Sequence, residues 1–155
     1  MTKRTWKYIL GAVVVLLLAI QLIPWEAPGN PPAETEVVAP AAVMDVLRQS
    51  CYDCHSHETV WPWYSSVAPA KWLVRHDVAE AREHLNFSAW NRYDADEQAH
   101  KWEEVVEEVE EGHMPLWYYV ALHQETRLSD EGRQLLMDWA QQQAGQEEAG
   151  AGDEG

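Results

Sequence analysis

The sequence of 155 residues has few cysteines, a single phenylalanine and little positive charge. Two cysteines are too few for a secreted scaffold held together by several disulfides. The 26 acidic residues outnumber the 11 basic ones and give a net charge of −15. This balance argues against nucleic acid as the partner, because its phosphates would be repelled. The length suits one ordinary domain with extensions and leaves no room for a two-domain enzyme.

Strand patterns are also lacking, since no stretch of useful length alternates between apolar and polar residues. Apolar residues at helical spacing predict helices over residues 41–50, 71–85 and 97–111, and Gly112 provides a stop after the third. Ser129 can cap a fourth helix, whose first turn is acidic. The sequence therefore predicts an all-α domain over residues 41–140, with long connections between its helices.

One long hydrophobic run is present, and it lies near the N-terminus. It extends from Thr5 to Trp25, is wholly apolar from Ile9 to Leu18, and follows three basic residues, Lys3, Arg4 and Lys7. Length, flanking aromatics and charge predict a single-pass anchor over residues 1–25, with the chain beyond it on the periplasmic side of the inner membrane. A cleaved secretory signal is the alternative, but no small-x-small cleavage site follows the run.

Low-complexity segments flank the predicted domain. Residues 26–40 contain four of the eight prolines and predict a semi-stiff linker, from which the domain could swing between partners near the membrane. Residues 141–155 consist mainly of Gln, Glu, Gly and Ala without a large apolar residue, and predict a disordered acidic tail.

The two cysteines stand together, as Cys51-Tyr-Asp-Cys54-His55. Two thiols three residues apart can each form a thioether with one vinyl group of a haem, and the adjacent histidine can ligate the iron. We therefore expect one covalent haem c. The alternatives are a thioredoxin-type redox pair, a zinc site completed by distant histidines, and a structural disulfide. The redox pair would need a βαβ pattern, which the sequence does not show, and the zinc site would need a second cysteine pair. A structural disulfide would leave the adjacent His55 unexplained.

Met114 is the predicted second iron ligand. It lies in Gly-His-Met-Pro after the acidic helix, where Pro115 disfavours a helical conformation for Met114. Methionine opposite histidine raises the reduction potential and favours electron transfer. A gap-filling core role for Met114 is the alternative. Competing arrangements are an open iron or ligation by one of the other histidines, His113, His76, His84 or His123.

Tryptophan and tyrosine are abundant, with nine and six copies. Connections rich in these rings need a large flat surface to pack on, which a haem would supply. The predicted walls of its pocket are Trp61, Trp63, Tyr64, Trp72, Trp117 and Tyr118.

Several motifs together resemble the bacterial haem-binding domain family related to cytochrome c. They are the 51–56 motif, Trp61-Pro-Trp-Tyr64, Ala68-Pro69, Trp72-Leu73, His76-Asp-Val78, Leu85-Asn-Phe-Ser88 with Trp90, Glu111-Gly-His-Met-Pro115, Trp117-Tyr118, Leu128-Ser129 and Asp138-Trp139. The resemblance covers about residues 41–140. It implies a cytochrome c-like helical domain on the periplasmic side, with one haem on Cys51 and Cys54, His55 as proximal ligand and Met114 as distal ligand.

The predicted function is single-electron transfer rather than enzymatic chemistry, because no Ser-His-Asp set, phosphate-binding loop or paired-carboxylate site stands out. Six glutamates on the 97–111 helix form a solvated face, or a docking surface for a basic redox partner. Two other classes stay open. One is a haem sensor or peroxidase-like protein with an exchangeable distal site, and the other is an assembly factor that uses the cysteine pair for redox or metal chemistry.

Overall fold

The computed structural model describes residues 3–150, and the side chains of residues 3–145. It contains seven α-helices in this range. They are α1 (Lys3–Gln21), α2 (Ala41–Ser50), α3 (Tyr52–His55), α4 (Ala70–His84), α5 (Ala95–Glu110), α6 (Trp117–Leu122) and α7 (Asp130–Gly150). Short 3-10 turns occupy Trp63–Ser66, Trp90–Arg92 and Gln124–Thr126. The described range contains no β-strand, only the single bridge between Thr35 and Ala89, so the predicted all-α class is confirmed.

The long helices begin and end where local chemistry dictates. Asp94 caps α5 by accepting from the Glu97 backbone N–H at 3.0 Å, and the Glu97 carboxylate accepts from the Asp94 N–H at 3.0 Å. Ser129 caps α7 in the predicted way, accepting from the Gly132 N–H at 3.0 Å. These side chains satisfy backbone donors that a helix leaves unpaired at its first turn.

Removing the α5 cap is expected to destabilise the domain measurably. Asp94→Ala leaves the Glu97 N–H without its acceptor and should lower the free energy of unfolding by about 1 kcal/mol. Urea denaturation followed by circular dichroism measures the change. Asp96→Ala is the matched control, because Asp96 is exposed in the same helical turn and takes no part in the cap. Equal losses in both variants would contradict the capping role.

The centre of the fold is an aromatic stack rather than a ring of pocket walls. Phe87 packs between Tyr52 and Trp102, with ring centroids 5.5 and 6.0 Å away. The ring centroid of Trp102 lies 5.0 Å from that of Trp90 and 4.6 Å from that of Trp139. These rings join α3, α5 and α7 and account for three of the nine tryptophans.

The predicted semi-stiff linker is hydrogen-bonded to the domain. The Glu34 and Val37 N–H groups donate to the Ser88 and Phe87 carbonyls at 2.8 Å, and the Val37 side chain is buried. Glu36 accepts hydrogen bonds from the Tyr52 and Ser88 hydroxyls, both at 2.8 Å. A proline-rich composition limits helix and strand formation but does not prevent an extended segment from pairing with a loop. The expectation of a swinging domain is therefore wrong.

The predicted disordered tail also begins too early. Helix α7 continues through residues 141–150, because Ala140 and Ala144 are buried in the core and Gln and Glu are good helix formers. Residues 151–155 of the predicted tail lie outside the described residues.

Helix α1 is the one described helix that is long and apolar enough to cross a membrane. None of its residues is buried against the rest of the chain. Its sequence is apolar around the whole circumference from Ile9 to Leu18, as expected for a helix surrounded by lipid. A secretory signal would have the same composition.

Candidate functional site

The Cys51-x-x-Cys54-His55 segment folds into a single helical turn. The backbone N–H groups of Cys54 and His55 donate to the Cys51 carbonyl at 3.2 and 2.9 Å, so Cys51 caps α3 and Cys54 and His55 lie within it. This closed turn places the two sulfur atoms and the imidazole beside the same cavity. The thiols are not bonded to each other.

His55 is oriented by the end of α4. Its Nδ1 lies 3.1 Å from both the Ala81 and the Leu85 carbonyl oxygens. Because both neighbours are acceptors, Nδ1 is the nitrogen that holds the proton and donates, and the lone pair is on Nε2. Burial lowers the pKa of His55, so the ring is neutral at pH 7. A neutral imidazole with its orientation fixed through the other nitrogen is suited to ligate a metal.

Met114 is held against the end of α5. Gly112 adopts φ +75°, which glycine tolerates without strain, and donates to the Val109 carbonyl at 3.3 Å. The N–H groups of His113 and Met114 both donate to the Glu108 carbonyl at 3.0 Å. This Schellman-type ending reverses the chain at once and fixes the backbone of Met114. The Met114 side chain packs against the core and lines the cavity.

The cavity that these residues share has a volume of about 570 Å³. Its lining is formed by the end of α2, by α3, by α4 from His76 onward with the loop that follows it, by the second half of α5 and by residues between Met114 and Leu128. A cavity of this size falls within the roughly 300–1,000 Å³ of cofactor sites, which are mostly apolar with a few placed polar groups. Apolar walls, two thiols, a neutral imidazole and a thioether match the donor set of a haem.

The comparisons with known proteins agree with this donor set. The family model of haem-binding domains matches residues 15–142. The chain belongs to the haem-binding domain family. No curated protein and no solved structure matches the chain. Haem is therefore the cofactor of this domain, and the cavity beside His55 is the site whose residues fit it.

The aromatic residues of the haem-binding cavity differ from most of those predicted. Tyr118 lines it, but Trp61, Trp63, Tyr64, Trp72 and Trp117 do not. Trp63 and Trp117 are about four-fifths exposed, at 81% and 79%. In this structure the predicted set therefore shares only Tyr118 with the lining of the cavity, and a role for the other five residues at the haem stays a prediction.

Phe87 and Tyr119 are the aromatic cavity residues that the sequence analysis missed. Phe87 also packs edge-on to His55, with ring centroids 6.3 Å apart. Helical spacing would have indicated the aliphatic lining residue Val109, which lies on the predicted apolar stripe of α5. Helical spacing could not indicate Phe87, since it lies in the loop after α4, although it belongs to the Leu85-Asn-Phe-Ser88 motif of the family resemblance.

The competing histidines are less favourably placed than Met114. His113 is exposed, beside Glu108 and Glu111, and does not line the haem-binding cavity. His123 is engaged by Tyr64 at 2.7 Å and is also outside the lining. His76 and His84 line the cavity, but they are exposed on α4, the helix whose carbonyls already hold His55. Met114 lines the cavity from the end of α5, with its side chain packed against the core.

Burial raises the pKa of both cysteine thiols to about 12. Neighbouring negative groups add to the effect, from Cys54 at Cys51 and from Asp53 at Cys54. Protonated thiols are poor nucleophiles for disulfide exchange. Among the described residues, no group of three or more His, Cys, Asp or Glu is placed to hold a metal ion. These observations count against the thioredoxin and zinc alternatives.

The polar part of the cavity is acidic. Its lining includes six carboxylates, Asp53, Asp77, Glu80, Glu104, Glu107 and Glu108, and no lysine or arginine among the described residues. The Tyr119 hydroxyl donates to Asp53 at 2.7 Å and the Tyr118 hydroxyl to Asp77 at 3.0 Å. Burial and the bond to Asp77 raise the pKa of Tyr118 to about 12. Carboxylates around a redox site stabilise its more positively charged state.

Proposed function

We propose that this protein is a membrane-anchored c-type monohaem electron carrier whose haem domain faces the periplasm. The observation that carries the proposal is the shared cavity of Cys51, Cys54, His55 and Met114. Haem, when bound, supplies the one-electron couple of its iron. The chain supplies the attachment, the two ligand atoms and the surrounding electrostatics.

Covalent attachment is supported by the position of the thiols. Cys51 and Cys54 both line the cavity, lie on one helical turn and precede the oriented His55. Their raised pKa keeps them as thiols before attachment, and no third protein ligand competes for them among the described residues. Addition of each thiol across a haem vinyl group would form a thioether without an oxidant, with the S–H hydrogen transferred to the vinyl carbon.

Electron transfer rather than enzymatic chemistry is supported by Met114. The Schellman-type ending of α5 fixes its backbone and the core packs against its side chain, so the thioether is preorganised as a ligand. With His55 and Met114 both holding the iron, the haem would offer no open position for substrate, and His/Met ligation would favour electron transfer. Titration of the purified full chain should give one reversible one-electron step, and carbon monoxide should not bind the reduced form at neutral pH. Rapid carbon monoxide binding would favour the sensor or peroxidase-like alternative.

Anchoring through α1 is supported by its length, apolar surface and lack of burial. The basic residues Lys3, Arg4 and Lys7 precede the apolar run, and all 26 acidic residues follow it. The preference of basic residues for the cytoplasmic side therefore puts the haem domain outside. That orientation suits a c-type domain, because the attachment of haem c takes place after export.

A basic redox partner is the counterpart proposed for the acidic face of α5. Glu103, Glu107, Glu110 and Glu111 line a groove between α5 and α7, together with Gln141. Long-range attraction to such a face accelerates encounter with a positively charged protein and is screened by salt. The groove adjoins the haem cavity, because Glu107 lines both.

We expect electron exchange with a basic redox protein to slow steeply as ionic strength rises. The triple substitution Glu103→Gln, Glu107→Gln and Glu110→Gln should reduce the low-salt rate roughly tenfold, within the range of electrostatic steering. Stopped-flow spectroscopy of haem oxidation measures both effects. The matched control removes the same charge at exposed sites elsewhere, with Asp45→Asn, Glu83→Gln and Glu131→Gln. Equal slowing in both triple variants, or a rate indifferent to salt, would contradict docking at this face.

A further inference from the structure

Three basic residues of α4 hold the chain that leaves α1. Lys71 Nζ donates to the Gln21 and Ile23 carbonyls at 3.2 and 3.0 Å. Arg75 donates to the Trp25 carbonyl, and Arg82 donates to the Gly29 carbonyl at 2.6 Å. Lys71 is buried although it carries a charge, which is costly unless its donors are satisfied. The contacts follow sequence order, so residues 21–30 run parallel to α4.

This parallel course defines two ends of the domain. The start of α4 and the loop before it lie beside the end of α1, where the Gln21 side chain also bonds both the Ala68 N–H and the Ala68 carbonyl, at 2.8 and 3.1 Å. The carbonyls that hold His55 are at the opposite end of α4. At 1.5 Å per residue, His55 is held about 15–20 Å along the helix from Lys71.

The end of the domain beside α1 exposes large apolar side chains. Trp63 is 81% exposed, Val67 45% and Leu73 50%. Val67 directly precedes Ala68, the residue that Gln21 binds, and Leu73 lies in the first turn of α4. None of the three lines the haem cavity. In a domain with 26 acidic and eight basic residues after α1, an exposed apolar group needs an explanation.

We propose that Trp63, Val67 and Leu73 form a membrane-contact face that lies in the interfacial layer of the bilayer. The proposal rests on the proposed anchoring of α1, because α1 brings this end of the domain to the lipid surface. Tryptophan is enriched in that layer, where an apolar ring with a polar N–H is favoured. Lipid contact on one side and the bonds of residues 21–30 on the other would fix the haem domain in one orientation, with His55 at its far end.

Spin-label accessibility in lipid nanodiscs tests the membrane-contact face in the full haem-loaded chain. Single nitroxide labels are introduced through Val67→Cys and Leu73→Cys, with Glu83→Cys as the matched control at the far, exposed end of α4. A further label, introduced through Val14→Cys, reports whether α1 itself lies in the lipid. Collision with oxygen, which partitions into lipid, is compared with collision with a water-soluble nickel chelate. An unchanged visible haem spectrum verifies folding of each variant.

The expected result is an oxygen-to-nickel collision ratio at residues 67 and 73 that is several-fold higher than at 83 and approaches that at 14. A low ratio at 67 and 73 with a high ratio at 14 would overturn the membrane-contact face while the anchor stands. Low collision with both reagents at 67 and 73 would show that protein, such as a second copy, covers the face, and would also overturn it. A low ratio at 14 would overturn the anchor and this inference together.

Discussion

Replacing Met114 with alanine is expected to lower the reduction potential by roughly 0.1–0.3 V, a fraction of the about 0.8 V that axial ligands span. The sulfur of Met114 is a weak donor that favours the reduced iron, and its removal leaves water or a weaker contact. The ferric far-red band of methionine–iron ligation should disappear, and the reduced form should bind carbon monoxide. Spectroelectrochemical titration and visible spectroscopy measure these changes.

Two controls isolate the ligand role of Met114. Met137→Ala truncates another partly buried methionine that packs against the core but does not line the cavity, so it should leave the far-red band and the potential unchanged. His113→Ala removes the neighbouring alternative ligand and should also preserve the band. Absence of the band from the unmodified protein, or its retention in Met114→Ala, would contradict the assignment.

The double substitution Cys51→Ala and Cys54→Ala is expected to make the haem extractable. Without thioethers, acidified organic solvent should remove all the pigment, and the protein should lose on the order of 2–5 kcal/mol of unfolding free energy, the size of removing a native cross-link. The loss arises because the cavity of about 570 Å³ would no longer retain its haem during unfolding. Solvent extraction and thermal denaturation are the measurements.

Single substitutions provide the graded control for the cysteine pair. Cys51→Ala and Cys54→Ala should each retain the pigment through the remaining thioether, and the pyridine haemochrome band should shift because one vinyl group stays unsaturated. Ser50→Ala, which changes a neighbouring cavity residue without touching sulfur, should leave extraction and spectrum unchanged. Pigment that resists extraction in the double variant would refute attachment through these thiols.

The helices and the haem motif are the parts that sequence could predict. Helix α2 has the predicted bounds, and α4 and α5 lie within two residues of theirs, because apolar residues at helical spacing record burial on one face. The Ser129 cap and the Gly112 stop are local features that act within a few residues. The C-x-x-C-H motif is local in the same sense, since one helical turn brings its members together.

Contacts between distant segments are what the sequence could not supply. The linker composition indicated an extended chain, but not that Glu34 and Val37 would pair with the loop after α4. Helix α6 escaped prediction because its six residues are too short for a periodic pattern. The tail was placed too early because two small residues, Ala140 and Ala144, bury enough surface to continue α7.

The aromatic residues also show that sequence patterns predict local features but not contacts between distant segments. Tryptophan in a loop predicts burial against something flat, but does not distinguish a cofactor from other rings or from a lipid surface. Trp102 packs on Trp90, Trp139 and Phe87, whereas Trp63 remains exposed. Whether a ring packs on other rings, contacts the cofactor or stays exposed depends on how α3, α5 and α7 lie relative to one another.

Intact-mass spectrometry of the denatured full chain, produced in a host that attaches haem c, tests the central claim most directly. Because Cys51 and Cys54 line the cavity beside His55, we predict one species whose mass equals the polypeptide plus a single haem. Both thiols of that species should resist alkylation. A mass equal to the polypeptide alone, with two alkylatable thiols, would contradict covalent attachment and the electron carrier proposed on it.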